Sequence, residues 1–256
     1  MSSTSQPAFP QAALDWLAPL GADGRALPAP RILLLGRSVA PLATLLDRRG
    51  ASLVACDSSR AGVRALLNRA PRALPTVATP ERLPFTPLAF DAVHVHQSLH
   101  TLPAGALASI ARILAPGGHL AVSYTVRDDS VPWVRRLTAL LRDVDARAMA
   151  GAYGTESIDR LEASPYFADV TERSHRLWVP ISRVDLLGMV ARRFPDLEQE
   201  RLSRLMSDVG ELYENSARPP EPLLLPYRVA CWRASVDHSE FTSQVTPPDD
   251  AVPIRL

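Results

Sequence analysis

The sequence predicts an α/β protein built on a doubly wound, mostly parallel sheet. Three observations predict it. Runs of four to six apolar residues recur through the first half of the 256-residue chain, and helical patterns fall between them. The runs are apolar at nearly every position, as strands buried on both faces require, whereas half-exposed strands alternate. The resulting β-α-β-α order favours parallel pairing through right-handed crossovers.

Strands are expected at 31–35 (RILLL), 52–56 (SLVAC), 74–77, 90–95 (FDAVHV) and 119–124 (HLAVSY). Helices are expected between them at about 38–49, 58–69 and 104–114. After Tyr124 the alternation changes. Val131, Val134, Leu137, Leu140, Leu141 and Val144 recur at helical spacing over 131–149, followed by a strand at about 169–179 and a helix from near Ser182. Leu202, Leu205, Met206, Val209, Leu212 and Tyr213 make the apolar stripe of an amphipathic helix over 196–216, and a last strand, 227–233 (YRVACWR), closes the fold. The domain reading is a loose N-terminus (1–9), one domain over 10–236 and a loose tail (237–256). Cap helices are expected within about 129–165 and 182–222.

Composition narrows the function classes. All 28 basic residues are arginines, they are scattered, and 27 acidic residues nearly cancel them. Without a basic stripe to track a phosphate backbone, nucleic acid is not an expected partner. No apolar stretch approaches a membrane span, and "MSSTSQPAFP" lacks the basic-then-apolar layout of a signal peptide. Cys56 and Cys231 each sit inside an apolar run and read as buried thiols. A cytoplasmic location is expected.

The stretch "RILLLGRSVAPLATLLDRRGASLVACD" (31–57) reads as strand, turn, helix and a second strand ending in an acid, the opening of a nucleotide-binding unit. Its turn has one glycine, Gly36. A nicotinamide dehydrogenase is disfavoured because nothing matches G-x-G-x-x-G. In "HVHQSLH", His94 and His96 share a strand face and raise the question of a metal. No acid or cysteine cluster accompanies them, so no metal is expected.

Three further stretches carry a resemblance. "FDAVHVHQSLHTLPAGALASIARILAPGGHLAVSY" (90–124), with its A-P-G-G turn, resembles strand four to strand five of class I S-adenosylmethionine-dependent methyltransferases. "ERLPFTPLAFD" (81–91) is similar to the family's segment after strand three. "FPQAALDWL" (9–17), "VRDDSVPWVRRLTALL" (126–141) and the 184–234 region resemble a type 11-like bacterial subgroup allied to trans-aconitate-type small-molecule enzymes. The resemblance spans roughly residues 10 to 235 and implies a seven-stranded, Rossmann-like sheet whose last strand runs antiparallel. It implies S-adenosylmethionine as cofactor and a small-molecule methyl acceptor.

Against the family's acid-x-G-x-G-x-G loop the chain departs at three of four positions, with Leu34, Ser38 and Ala40 in place of the acid and two glycines. Gly36 keeps a turn open to positive φ. Asp57, ending strand two, has the capacity to accept both ribose hydroxyl hydrogens, or else to cap the next helix with Ser58 or Ser59. The resemblance places Gly36, Ser38, Asp57, Glu81, Leu83 and Gln97 at the cofactor, with Phe85 beside Leu83 as an apolar wall. His96 is expected to face the same crevice. His100 borders the expected acceptor region and is the candidate proton acceptor, a role that competes with packing or capping. Trp133, Tyr153 and Trp178 are candidate acceptor-pocket walls. The alternative function is a methyltransferase-like binding protein that has lost its cofactor, for which Leu34, Ser38 and Ala40 are the evidence.

Overall fold

A computed structural model describes residues 9–21, 24–145, 155–218 and 220–242. β1 (Arg31–Leu35), β2 (Ser52–Asp57), β3 (Leu74–Val77), β4 (Phe90–His96), β5 (Leu114–Arg127), β6 (Phe167–Ile181) and β7 (Leu223–Val236) form one seven-stranded sheet. Its order is β3-β2-β1-β4-β5-β7-β6. The first five strands are parallel, and β7 runs antiparallel between β5 and β6. This is the doubly wound sheet that the apolar runs predict, with its last strand reversed.

β1, β4 and the middle of β5 are buried along nearly their whole length because both faces are covered, whereas β3, expected to be buried, and β6 lie at the sheet edges and are largely exposed. Leu33 and Leu35 of β1 enter one core with Val93, Val95, Leu120 and Val122, under α4 (Ala106–Ile113). Ile32 and Leu34 enter the opposite core, with Leu14 of α1 (Gln11–Trp16), Leu42 and Leu46 of α2 (Ala40–Arg48) and Leu66 of α3 (Arg60–Leu67). Burial of such side chains contributes about 1.5–3 kcal/mol each.

β5, β6 and β7 outrun their sequence patterns. β5 begins at Leu114, which pairs with Phe90, and a bulge then takes up the A-P-G-G segment before Ala92 meets His119. From His119 to Arg127 it pairs continuously with β7. The β6–β7 pair runs on past β5, from Trp178↔Pro226 to Ile181↔Leu223, and carries a third core. That core joins α5 (Pro132–Val144), α7 (Arg183–Arg193) and α8 (Gln199–Ser216) around Trp133, Leu137, Leu186, Val190, Leu205 and Val209. This is the cap.

Two boundaries differ from expectation. α6 (Thr155–Glu162) falls inside the expected cap range, yet Ile158 and Leu161 pack into the sheet core beside Tyr124. The tail expected to be loose from Asp237 is docked over its first residues. Asp237 N–H donates to Tyr166 O at 2.8 Å, and Phe241 of α9 (Ser239–Thr242) stacks on Tyr166. Expected loose residues 1–8 and 243–256 lie outside the described residues, as do 146–149 of the expected long helix and Tyr153.

Beneath α1 the sheet buries three imidazoles. His96 Nδ1 lies 2.9 Å from Ser123 Oγ and its ring meets Phe9 edge-on, while His119 Nε2 lies 3.0 Å from Leu17 O. Among the described residues neither ring nitrogen of His94 has a hydrogen-bond partner. Burial, with His119 and Arg233 nearby, pushes His94 down to about 3, and burial pushes His96 and His119 to about 4. The folded protein therefore keeps these rings neutral, while the unfolded chain takes up protons below about pH 6.5. Stability is full above that pH and falls as pH drops toward the folded values. Replacing His94→Leu should raise the melting temperature at pH 8 and flatten the acid loss. The variant should avoid about 2 kcal/mol of the loss between pH 8 and pH 5, read from denaturant titrations at both pH values.

Candidate cofactor site

In an open α/β sheet, ligands bind where strand order reverses, beyond the carboxyl ends. Here β1 feeds α2 toward β2 on one side and pairs β4 on the other, so the reversal lies between β1 and β4. A crevice of about 460 Å³ opens there. Its walls are Leu35–Ser38 after β1, Asp57 and Ser58 after β2, Ala78–Glu81 after β3, and Gln97, Ser98 and Thr101–Pro103 after β4.

The β1 loop is compact. Gly36 has φ +84°, a conformation that side chains disfavour, and its N–H donates to Cys56 O at 2.8 Å. Arg37–Val39 then make one 3₁₀ turn that runs directly into α2. Ser38 lines the crevice. Ala40 does not; it packs against the core under α2. Leu34 is fully buried in that same core, so position 34 does not open on the crevice.

Asp57 is the most heavily bonded side chain of the crevice. Its Oδ1 accepts from Ser59 N–H at 2.9 Å and Ser59 O–H at 2.8 Å, and its Oδ2 accepts from Arg37 N–H at 2.8 Å. Ser59, not Asp57, is the N-cap of α3, accepting from Gly62 N–H at 3.0 Å. Each carboxylate oxygen has two lone-pair directions. Oδ1 is filled and Oδ2 keeps one, so Asp57 has room for one hydroxyl hydrogen and not for both.

Gln97 sits at φ +57°, a strained position for a residue with a side chain. Its N–H donates to Ser123 O and its Nε2 to Thr125 O at 2.7 Å, tying the end of β4 to β5. Backbone strain held in this way clusters at ligand sites.

A methyltransferase domain family matches residues 33–122, from β1 into β5. Uncharacterized methyltransferases of Mycobacterium tuberculosis and Mycobacterium bovis are 29% identical over 238 residues, 90% of each chain. Residues 33–122 carry a methyltransferase domain, and the chain is similar to methyltransferases over most of its length. A putative type II methyltransferase from Anaeromyxobacter dehalogenans has the same fold, with a TM-score of 0.61 at 19% identity, over 91% of this chain and 98% of that one. A putative methyltransferase from Bacillus halodurans gives 0.52 at 14%, over 88% and 97%.

The crevice suits S-adenosylmethionine, the cofactor that the sequence resemblance implies. Its volume lies within the range of roughly 300–1,000 Å³ usual for small-ligand sites. Gly36 brings backbone to the surface, Asp57 has one acceptor direction left, and Glu81 lines the wall with its stem beside Gly105.

Several expected site residues stand elsewhere. Leu83 is buried in the core, where its N–H donates to Ser109 Oγ, and Phe85 packs edge-on against Phe90. They back the wall instead of lining it, because Arg112 pins this segment through Leu83 O and Phe85 O at 2.7 and 2.8 Å. His96 faces α1 and Phe9, away from the crevice. His100 does not line the crevice; it is exposed, with Nδ1 3.2 Å from Tyr124 Oη. Trp133 belongs to the cap core, whereas Trp178 is half exposed on β6. Among the described residues no cluster could hold a metal ion. Arg37, Ser98 and Thr101 line the crevice without a sequence signal of their own.

The burial of Leu34 sets an expected outcome. Leu34→Asp restores the family's acid but places a carboxylate in an apolar core. It should destabilise the protein by roughly 3–5 kcal/mol by denaturant titration. Stability unchanged by this substitution would show that position 34 turns to the crevice.

Proposed function

We propose that this methyltransferase moves the methyl group of S-adenosylmethionine to a small-molecule acceptor that enters the crevice from the cap side. The observation that carries the reading is the crevice itself. It lies at the strand reversal and brings together a glycine at positive φ, the carboxylates of Asp57 and Glu81, and a strained Gln97. Gly36, Ser38, Asp57, Glu81 and Gln97 would hold the cofactor, with Asp57 taking one ribose hydroxyl. When bound, the cofactor supplies an electrophilic methyl group on sulfur.

Held by those residues, the cofactor would offer that methyl group for direct displacement by a lone pair of the acceptor, with S-adenosylhomocysteine as the other product. Such a displacement needs alignment above all, worth a large share of the barrier. The protein's part is to hold both partners in line and to take the acceptor's proton. His100, next in sequence to the crevice-lining Thr101, is the residue proposed for that proton, passing it on to solvent. The absence of a basic stripe in the sequence supports a small acceptor over nucleic acid. Among the described residues no helix is long and apolar enough to cross a membrane, which fits the proposed cytoplasmic setting.

One observation favours a second reading, a fold that keeps the crevice without turnover. Leu34 leaves the cofactor's ammonium without its customary acid, a loss of about 1.5–3 kcal/mol. Calorimetric titration with S-adenosylhomocysteine separates the two. The expected result is measurable binding with a rise in melting temperature, weakened about tenfold or more by Glu81→Gln. No heat and no thermal shift at millimolar ligand would leave the non-catalytic reading.

A further inference from the structure

The β1 loop lacks the glycines that normally let such a turn fold close, so something else must hold it. We propose that Asp57 is a positioning residue: its carboxylate clamps the β1 loop to the start of α3, and Gly62 is the notch that admits it.

The contacts form one continuous chain. Arg37 N–H, the first amide of the 3₁₀ turn, donates to Asp57 Oδ2 at 2.8 Å. Asp57 Oδ1 receives both the N–H and the O–H of Ser59 at 2.9 and 2.8 Å. Ser59 Oγ in turn accepts Gly62 N–H at 3.0 Å. Two loop amides thus end on two neighbouring residues of β2, since Gly36 N–H already donates to Cys56 O. Charge-assisted bonds of this kind are the strong ones. The first turn of α3 contains no acidic residue, so the Asp57 carboxylate is also the negative charge nearest that helix start.

Gly62 supplies the independent observation. A Cβ built there would overlap the carboxyl carbon and both oxygens of Asp57. Inside a helix, glycine is normally worse than alanine. Here it is the residue that permits the carboxylate to turn inward under the helix. An acid whose only task was to reach a ligand would have no need of that notch. The consequence for function rests on the cofactor reading above: Asp57 contributes to affinity chiefly by fixing the loop that Gly36 and Ser38 present.

A double-mutant cycle in the free, full-length protein tests this. In the wild type the Arg37 amide should be protected from hydrogen exchange. Gly62→Ala, which leaves the carboxylate intact but displaces it, should speed exchange at Arg37 by about ten- to a hundredfold and lower the melting temperature. Amides of β1 and β4 should be unchanged. In an Asp57→Ala background the same Gly62→Ala change should raise the melting temperature and leave Arg37 exchange as it was. Affinity for S-adenosylhomocysteine should fall about tenfold or more in Gly62→Ala, with no further loss when Asp57→Ala already stands.

The clamp is overturned if Gly62→Ala raises the melting temperature in both backgrounds, or if Arg37 stays as protected as in the wild type. It is also overturned if the wild-type Arg37 amide exchanges at the rate of an open loop. Should Gly62→Ala fail to fold, recovery in the double variant supports the clamp, and failure of both beside a folded Asp57→Ala overturns it. If S-adenosylhomocysteine does not bind the wild type, the functional reading fails, while the exchange and melting results still decide the clamp.

Discussion

The double pairing of β1 governs the rest of the molecule. Ile32–Leu35 hydrogen-bond to β2 on one side and to β4 on the other, in register from Ile32↔Leu53 and Ile32↔Ala92. Four buried residues in a row satisfy both faces and both edges at once. Chain order reverses beside this strand, so the connection leaving β1 runs through α2 to β2 on one side and the connection leaving β4 runs through α4 to β5 on the other. The space between them is the crevice. The residues proposed to meet the cofactor follow the carboxyl ends of β1, β2, β3 and β4 around this seam.

Placing the loop on a buried strand also explains its tolerance. A glycine-rich loop attains close approach by lacking side chains. This loop keeps a glycine only at Gly36, where positive φ demands one, and its following residues adopt a single 3₁₀ turn. The polar partners of that turn come from the end of β2, through Cys56 O and the Asp57 carboxylate. Lost backbone freedom is thus replaced by directed hydrogen bonds. Leu34 belongs to the same solution. Its side chain completes the core under α2, and the family's acid has no place there.

The cap depends on the other end of the sheet. β7 is antiparallel to both neighbours and continues with β6 beyond the end of β5. That projecting pair gives α5, α7 and α8 an apolar floor at Ile181, Leu223 and Leu225. The cap therefore stands on the sheet instead of on a separate domain. Away from the cap, beneath α1, His94 sits in the core, and among the described residues neither of its ring nitrogens has a hydrogen-bond partner.

By itself, the sequence determined what depends on local pattern. Continuous apolar runs set the strands, the apolar stripes of α5 and α8 set the cap helices, and the β-α-β order set the parallel sheet. The single loop glycine and the acid after β2 were legible because each stands next to a strand end. Tertiary structure decided which way each side chain faced. Leu83 went to the core because Arg112, far along the chain, holds its carbonyl. His96 turned to α1 because strand parity put it opposite the crevice and Ser123 and Phe9 were waiting there. Asp57 turned toward the loop and the helix because Gly62 left room, a fact invisible until two segments met in space. Periodicity is a property of neighbours along the chain, whereas a site's lone pairs are allotted by neighbours across it.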